Sequence, residues 1–338
     1  MVCQAWGQQP DDGYRDPGYV PLEFEELEEP KERISFRTIL TRLHLNVGTG
    51  YGRTFYKHDL DGFTVVRRED GTQYIIQNNG FSLTDTVEGF REWVNLPERN
   101  LFLIDQNSDS IVSSDTSSLT YRAGGGSLPF EFTLQYVTER FRAGIGAGLE
   151  FHSIGQFTPS AGEEVIGPLS LSTNSSTFTR LFVTFGGVVL DRRKYDILAD
   201  LRIGTVGLGG GFDNNLVDKG LFFNIGVGYE YHFSEIFRAW GRFAYDAKNY
   251  TMTLPGTGVN IQHNQPALFL QFGVSFNLPA LKRCPVDKCH TQINHMHEGK
   301  EYRSKRHPFW KMQNPHYGEN NPTLIPHKRK NRRKKIVY

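Results

Sequence analysis

The sequence predicts an all-β protein, an eight-stranded antiparallel transmembrane β-barrel with a largely irregular basic C-terminal tail. First, eight short segments between Leu43 and Leu278 alternate apolar and polar residues with a period of two, which gives each strand one face for lipid and one for a polar lumen. Second, short and long links alternate along the chain. Third, outward aromatic residues gather at both ends of the segments. A soluble β-sandwich or lipocalin-like barrel also has alternating strands, but it needs neither asymmetric links nor two aromatic belts.

The segments are long enough to cross a bilayer, which takes about 9–11 residues for a tilted strand. From Phe141 to Phe151 the odd positions are apolar, whereas Arg142, Glu150 and small glycines hold the even ones. The chain has no run of about 18 apolar residues, which excludes a helical membrane protein. The strands are predicted near 42–56, 119–137, 141–155, 177–190, 196–208, 219–232, 236–247 and 266–279.

The links define the two sides of the barrel. An even number of strands with both ends in the periplasm makes the short links, 138–140, 191–195 and 233–236, periplasmic turns. The first long link contains its own predicted hairpin, Phe63–Arg67 and Gln73–Gln77, around the turn residues Asp70 and Gly71. The long links, which then face outward, are 57–118, 156–176, 209–218 and 248–265.

The extensions outside the barrel carry opposite charges, although the net charge of the whole chain is only +1. Residues 1–7 are interpreted as the remnant of a signal peptide that ends in small residues, so Gln8 is the expected mature start. The expected domains are an acidic periplasmic arm at 8–40, the outer-membrane barrel at 41–279 with its outer loop 57–118, and a basic periplasmic tail at 280–338. We therefore expect the protein in the outer membrane of a Gram-negative bacterium, in contact with its lipid.

Charged residues recur at the inward positions of the strands. Eight strands enclose a space that side chains alone can fill, so opposite charges there are expected to pair as a polar plug. An ion or proton path is the functional alternative. The charged residues predicted to face the lumen are Arg142, Glu150, Asp200, Arg202, Glu230, Arg238, Arg242 and Asp246. Of these, Arg142, Glu150, Arg202, Glu230, Arg238 and Arg242 are assigned to the plug.

The densest local chemistry lies just after the last strand. Cys284 and Cys289 are separated by four residues, and an oxidising periplasm favours a disulfide between them, which is the preferred interpretation. Thiolates and imidazoles are also zinc ligands, and the candidate set is Cys284, Cys289, His290, His295 and His297. Covalent haem attachment requires C-x-x-C-H, which the spacing does not provide. No cofactor is expected, with zinc as the alternative.

The tail combines clustered basic residues with spaced aromatic ones, a pattern that favours folding onto a partner. For an exported protein the partner is a periplasmic protein complex or peptidoglycan, and not nucleic acid. The residues assigned to this contact are Arg303, Arg306, Trp310, Tyr317, Lys328, Arg329, Arg332 and Arg333.

The sequence gives no support for an enzyme. His152 and Ser153 are adjacent in a strand, and neighbouring strand residues point to opposite faces, so they cannot form a dyad. No other Ser, His and acid arrangement matches the geometry of a catalytic triad.

The glycine-rich strands, the closing segment from Phe272 to Leu278 and the start at Gln8 resemble the Bacteroidetes outer-membrane β-barrel family that includes PorT-like and PorG-like proteins. The resemblance covers roughly 40–279 and implies a small integral outer-membrane protein, some relatives of which serve type IX secretion and gliding by tethering periplasmic assemblies. The expected function is to anchor or organise a periplasmic assembly through the tail. The alternative is a surface-binding or narrow transport barrel that acts through its extracellular loops.

Overall fold

A computed structural model describes residues 36–78, 86–115, 119–160, 164–169, 171–192, 194–218, 220–291 and 293–305. Residues 1–7 and most of the acidic arm lie outside these ranges. The elements in chain order are α1 (Phe36–Thr41), β1 (Leu43–Asp59), β2 (Phe63–Arg67), β3 (Gln73–Gln77), β4 (Thr86–Phe90), β5 (Arg99–Leu103), β6 (Ser110–Ser113), β7 (Thr120–Val137), β8 (Phe141–Ile154), β9 (Thr158–Pro159), β10 (Ser175–Arg192), β11 (Tyr195–Leu208), β12 (Val217–Asp218), β13 (Leu221–His232), β14 (Phe237–Thr253), β15 (Asn260–Asn277), β16 (His295–His297) and β17 (Lys300–Tyr302).

Eight of these strands form a closed antiparallel ring. Its order is β1, β15, β14, β13, β11, β10, β8 and β7, and β1 pairs with both β15 and β7. Opposite Cα partners at the seam are His44 with Asn277, and Leu43 with Tyr136. The predicted barrel of eight strands is confirmed.

The outside of the ring is apolar. On β13, Leu221, Phe223, Ile225 and Val227 are exposed, whereas the alternating positions are buried. Because a band of exposed apolar side chains around a closed barrel is stable only in lipid, the protein is an outer-membrane β-barrel. Aromatic rings follow one another around the periplasmic end, with centroid distances of 4.9 to 5.6 Å, and they are Tyr231, Phe233, Phe237 and Phe276.

The strands run further outward than the alternation predicts. The expected loop 248–265 is wrong, because β14 continues to Thr253 and β15 begins at Asn260 with unbroken pairing between them. Beyond Ala247 the apolar residues move from the outward to the inward face: Tyr250 and Met252 are buried. In the sequence, this shift in the apolar–polar alternation resembles the end of a strand.

The outer loop folds into a second sheet, which we call the outer cap (residues 60–115). Its strands pair in the order β5, β4, β3, β2 and β6. The predicted hairpin is confirmed, with Phe63 opposite Gln77, and Gly71 adopts a positive φ of 83° in the turn. A single cluster of buried apolar residues joins the cap to the outer ends of the barrel strands and includes Leu60, Phe90, Trp93, Tyr121 and Phe157.

The regions flanking the barrel are more regular than predicted. Residues 36–41 form the short helix α1 at the junction of the segments assigned to the acidic arm and the barrel, and β16 pairs with β17 in the segment assigned to an irregular tail. We call residues 281–305 the tail module. No helix among the described residues has the length and apolar character needed to cross a bilayer.

Candidate functional site

The structure turns all six predicted plug residues into the lumen and pairs them with residues of opposite charge. Nearest the periplasm, Arg142 donates to Glu230 at 2.6 Å and lies 3.2 Å from Asp196. Arg238 donates to the same Glu230 at 2.7 Å. One glutamate therefore holds two arginines from different strands.

The middle of the lumen contains a second layer. Arg202 donates to Glu131 at 2.6 Å, and Arg242 donates to Asp200 at 2.5 Å and to Gln271 at 2.9 Å. The Arg242 side chain lies against Gly226, where a Cβ would collide with the guanidinium. A glycine on the adjacent, hydrogen-bonded strand β13 thus makes room for a large inward residue of β14.

The third layer lies toward the outer end. Arg180 is 2.8 Å from Glu150 and also binds Asp246, and Lys248 donates to Glu150 at 2.5 Å. In the described lumen the ion pairs join six basic residues to six carboxylates. The charges balance, as buried charges must if they are not to be strongly destabilising.

Several plug residues were missed by the sequence analysis, although a signal for two of them was present. Glu131 stands between Phe130 and Phe132, and Arg180 stands between Thr179 and Leu181, so strict period-two counting places both inside. The paired layers leave a cavity of about 50 Å³, which has room for only a few water molecules. The described lumen is therefore filled.

A segment of the outer cap closes the outer mouth of the barrel. We call it the mouth segment, Glu92–Asn95, and all four residues are buried. The Trp93 indole N–H donates to Nδ1 of His58 at 3.0 Å, and the Tyr250 hydroxyl donates to the Val94 carbonyl at 3.1 Å. His58 and Tyr250 are inward residues of barrel strands, so these hydrogen bonds attach the outer cap to the inner wall of the barrel.

Glu92 holds the mouth segment from the other side. Its carboxylate accepts the Leu96 amide at 2.7 Å and the Ser172 amide at 2.8 Å. Burial raises the pKa of Glu92, and these two backbone hydrogen bonds oppose the rise. The side chain therefore links two outer loops that are 80 residues apart in sequence.

The structure does not assemble the catalytic dyad that a Ser and His pair would require. His152 is buried and Ser153 is exposed on the opposite face. His152 instead contacts two inward residues, with Nδ1 2.8 Å from the Ser127 hydroxyl and Nε2 against the Tyr56 hydroxyl. All three are almost completely buried, so a substrate would not reach them.

The cysteines and histidines of the tail module converge. Ligand atoms of Cys284, Cys289, His295 and His297 all lie within 4.8 Å of one another. The two sulfurs are not bonded to each other in this structure, and each lies near the imidazoles as well as near the other sulfur, so the disulfide and the metal site both stay predictions. His290 is exposed and is not part of the group.

The surroundings of Cys289 favour its thiolate, whereas burial raises the pKa of the Cys284 thiol. The His297 imidazole, followed by the backbone of Thr291, lowers the pKa of Cys289 to about 6. A second set of donors, Asp196, Glu230 and His232, meets in the lumen, but its two carboxylates are already paired with the two arginines Arg142 and Arg238. Within the described residues the tail module is thus the better metal site.

One predicted partner residue, Arg303, lies within the described part of the tail. Arg303 is buried at the periplasmic end of the barrel, where its charge acts on Glu235 in the turn between β13 and β14. Burial raises the pKa of Glu235, and Arg303 opposes that rise. The remaining predicted partner residues lie outside the described residues, namely Arg306, Trp310, Tyr317, Lys328, Arg329, Arg332 and Arg333.

No protein-family model matches the chain, and no curated protein matches it. The outer membrane protease OmpT from Escherichia coli aligns with 73% of this chain and 99% of its own at 9% identity and a TM-score of 0.33. The outer membrane protein OprG from Pseudomonas aeruginosa aligns with 70% of this chain and 96% of its own at 7% identity and a TM-score of 0.34. The P. putida toluene transporter TodX aligns with 69% of this chain and 90% of its own at 7% identity and a TM-score of 0.16. The assignment to the outer membrane rests on the closed ring and the apolar exterior.

Proposed function

We propose that the protein is a non-enzymatic outer-membrane anchor that holds a periplasmic partner through its basic tail, 280–338. The observation that carries the proposal is the filled lumen. Three layers of ion pairs and the mouth segment occupy the described barrel from end to end, so its working surfaces are the two ends. Of these, the periplasmic end is expected to bear both charged extensions, and the basic tail is the more strongly charged of the two.

The tail leaves the barrel from a fixed point. Arg37 of α1 donates to the carbonyls of Pro279 and Ala280, both at 2.8 Å. A few residues later the amide of Cys284 donates to the Arg303 carbonyl at 3.0 Å, and the Arg303 amide donates to the Lys282 carbonyl at 2.9 Å. Hydrogen bonds therefore hold the two ends of the tail module together and fix the start of the tail to the end of the barrel, which is what the base of a tether requires.

The sequence beyond the tail module has the chemistry of an attachment segment. Residues 306–338 contain nine Lys and Arg against the single acid Glu319, with Trp310 and Tyr317 among them. Positive charge speeds and orients association with an acidic surface, and aromatic side chains supply specific contacts. We infer that the partner is a periplasmic protein with an acidic face. A type IX secretion or gliding assembly is the instance that the family resemblance implies.

The test is affinity capture from detergent-solubilised outer membranes. Full-length protein is compared with a chain that ends at residue 305 and with a full-length variant in which Lys328, Arg329, Arg332 and Arg333 become Glu. A chain with the order of residues 306–338 scrambled is the matched control for net charge. Purified peptidoglycan is presented separately to all four proteins.

We expect one periplasmic protein to be recovered with the full-length chain only. Recovery with the scrambled tail as well would show that charge alone is recognised. Retention on peptidoglycan with no protein partner would replace the proposed partner class. Equal recovery by the chain that ends at residue 305 would refute the tail as the attachment segment.

A second candidate function is favoured by one feature of the outer cap. Strand β5 forms an open edge of the sheet, and its Leu101 and Leu103 are 66% and 62% exposed. An apolar edge strand offers backbone hydrogen bonds and side-chain pockets to an added strand. Loss of cell-surface ligand binding in a Leu101→Lys, Leu103→Lys variant, with the tail intact, would support this surface-binding role.

A further inference from the structure

The tail module contains a set of metal donors that the anchor proposal does not use. Nε2 of His295 lies 3.1 Å from Sγ of Cys289, and every ligand atom of Cys284, Cys289, His295 and His297 lies within 4.8 Å of the others. Around a tetrahedral ion with bonds of about 2.3 Å to sulfur and about 2.0–2.1 Å to nitrogen, neighbouring donors are separated by roughly 3.3–3.8 Å. The upper limit of 4.8 Å exceeds that range by about 1 Å, so small side-chain movements would bring the four donors to the ion.

Local backbone structure brings these donors together. Between the cysteines the chain turns, with the Cys289 amide donating to the Val286 carbonyl at 3.2 Å. The histidines are two residues apart on β16, so they share one face of the hairpin. The hairpin closes through Glu298 and Gly299, which both have a positive φ, 51° and 72°, as a type I′ turn requires.

The surroundings of the histidines fit metal ligation. Nδ1 of His295 is 2.8 Å from the Ile293 carbonyl, so this nitrogen carries the proton and Nε2 presents a lone pair to the cysteine. Such a second hydrogen bond is the usual way in which a ligand histidine is oriented. Nε2 of His297 is buried and makes no hydrogen bond within the described residues, which is costly for a polar atom unless a ligand satisfies it.

The tail module is also too small to be held by apolar packing. Of its described residues only Cys284, Arg303 and Ser304 are buried. Segments below about 40 residues usually need a metal or disulfide to keep one structure. A disulfide would use only the two cysteines, whereas a metal ion would use the cysteines and both histidines of the group.

We propose that Cys284, Cys289, His295 and His297 bind one Zn²⁺ ion, which fixes the base of the tail at the periplasmic end of the barrel. Two sulfur and two nitrogen donors select Zn²⁺ over the oxygen-preferring cations. Four protein ligands complete a tetrahedron and leave no open position, so the ion is structural. This site stands whether or not the tail binds a partner.

The experiment measures metal content in the full-length protein in detergent. After reduction and dialysis against Zn²⁺, the wild type is compared with Cys284→Ser, Cys289→Ser, His295→Gln and His297→Gln. The matched control is His290→Gln, which alters a neighbouring exposed histidine. Heat-modified gel mobility verifies that each barrel is folded, and intact mass without reductant reports a disulfide. Co²⁺ is then substituted, because its thiolate absorption bands reveal sulfur ligation.

We expect one zinc per chain in the wild type and in His290→Gln, thiolate-to-cobalt bands in both, and at least a tenfold weaker affinity in each of the four ligand variants. Chelation should speed protease cleavage between residues 281 and 305 while the barrel stays intact. Three results would overturn the proposal. The first is a wild type that has free thiols and binds no zinc, and the second is a disulfide, seen as a mass lower by two hydrogens, that persists when Zn²⁺ is present during purification. The third is a loss of zinc in His290→Gln as large as that in the four ligand variants.

Discussion

The membrane-spanning part of the barrel and its outer rim are made of the same strands with opposite polarity. On β14, Phe243 faces lipid and Asp246 faces the lumen, whereas a few residues further Asn249 faces outward and Tyr250 and Met252 face inward. Pairing with β15 continues unbroken through the change. The surrounding solvent, and not the strand pairing, decides which face is apolar. The lower part is stabilised by paired charges and the upper part by an apolar core.

The largest effect is expected from breaking the charged layers. Arg180→Ala leaves Glu150 and Asp246 buried without their shared arginine, which should lower the free energy of unfolding by about 3–5 kcal/mol. Urea unfolding in lipid vesicles, followed by tryptophan fluorescence, measures this. The exposed Arg122 on β7 provides the control Arg122→Ala, expected within about 0.5 kcal/mol of wild type. Similar values for both variants would contradict a structural role for the plug.

Removing the centre of the apolar part should have a large but local effect. Trp93→Ala creates a cavity in the outer cap core and removes the hydrogen bond to His58, at a cost of about 3–5 kcal/mol. Hydrogen exchange should accelerate in the cap and stay slow in β7 and β8, with no ion conductance in planar bilayers because the charged layers remain. The exposed Leu101→Ala is the control in the same cap. Conductance in Trp93→Ala would mean that the mouth segment alone closes the barrel.

The polarity change itself is tested by placing the same charge on both sides of it. Phe243→Arg puts a cation on the lipid face and should destabilise the barrel by about 2–4 kcal/mol, whereas Asn249→Arg on the same strand should change stability by about 0–1 kcal/mol. Unfolding in vesicles of constant chain length measures the difference. If both substitutions lowered the stability equally, Phe243 and Asn249 would have the same surroundings, and β14 would not pass from lipid into water between them.

A smaller effect is expected from the link between outer loops. Glu92→Ala removes the acceptor of the Ser172 amide and leaves the Leu96 amide with only the side-chain oxygen of Asn95, at 3.1 Å, which should cost about 1–3 kcal/mol. Limited proteolysis of the loop around Ser172 measures the loosening. Glu98→Ala, at an exposed position nearby, should leave the cleavage rate unchanged, and equal protection in both variants would exclude Glu92 as the link.

The sequence predicts the lower part of the barrel better than the upper part for a physical reason. Where apolar residues face lipid, every strand obeys one alternation, and all eight strands could be located from it. At the rim the phase reverses, so the strands past Ala247 and before Pro266 were assigned to a loop. The alternation along single strands cannot predict the position of the mouth segment, because the contact of Trp93 with His58 joins residues from separate elements.

The sites show the same division. Six lumen charges follow from period two, but their partners depend on which strands are neighbours. In the tail, the spacing of the cysteines is compatible with both a disulfide and a metal site, and the hairpin that brings His295 and His297 near the sulfurs is the feature that favours the proposed metal site. The positive charge of Arg303 predicted a contact at the protein surface. In the structure its backbone is hydrogen-bonded to Lys282 and Cys284, so Arg303 is part of the tail module.

The length of β14 also sets the height of the outer cap above the bilayer. Residues from Asp246 to Thr253 follow the last outward aromatic residue, Tyr245, and at about 3.3 Å per residue and a tilt of about 40° they rise roughly 20 Å. The headgroup layer on one side of a bilayer is only about 5–8 Å thick. The open edge of β5 therefore stands clear of the lipid headgroups, so a molecule that pairs with it does so in water and needs no affinity for membranes.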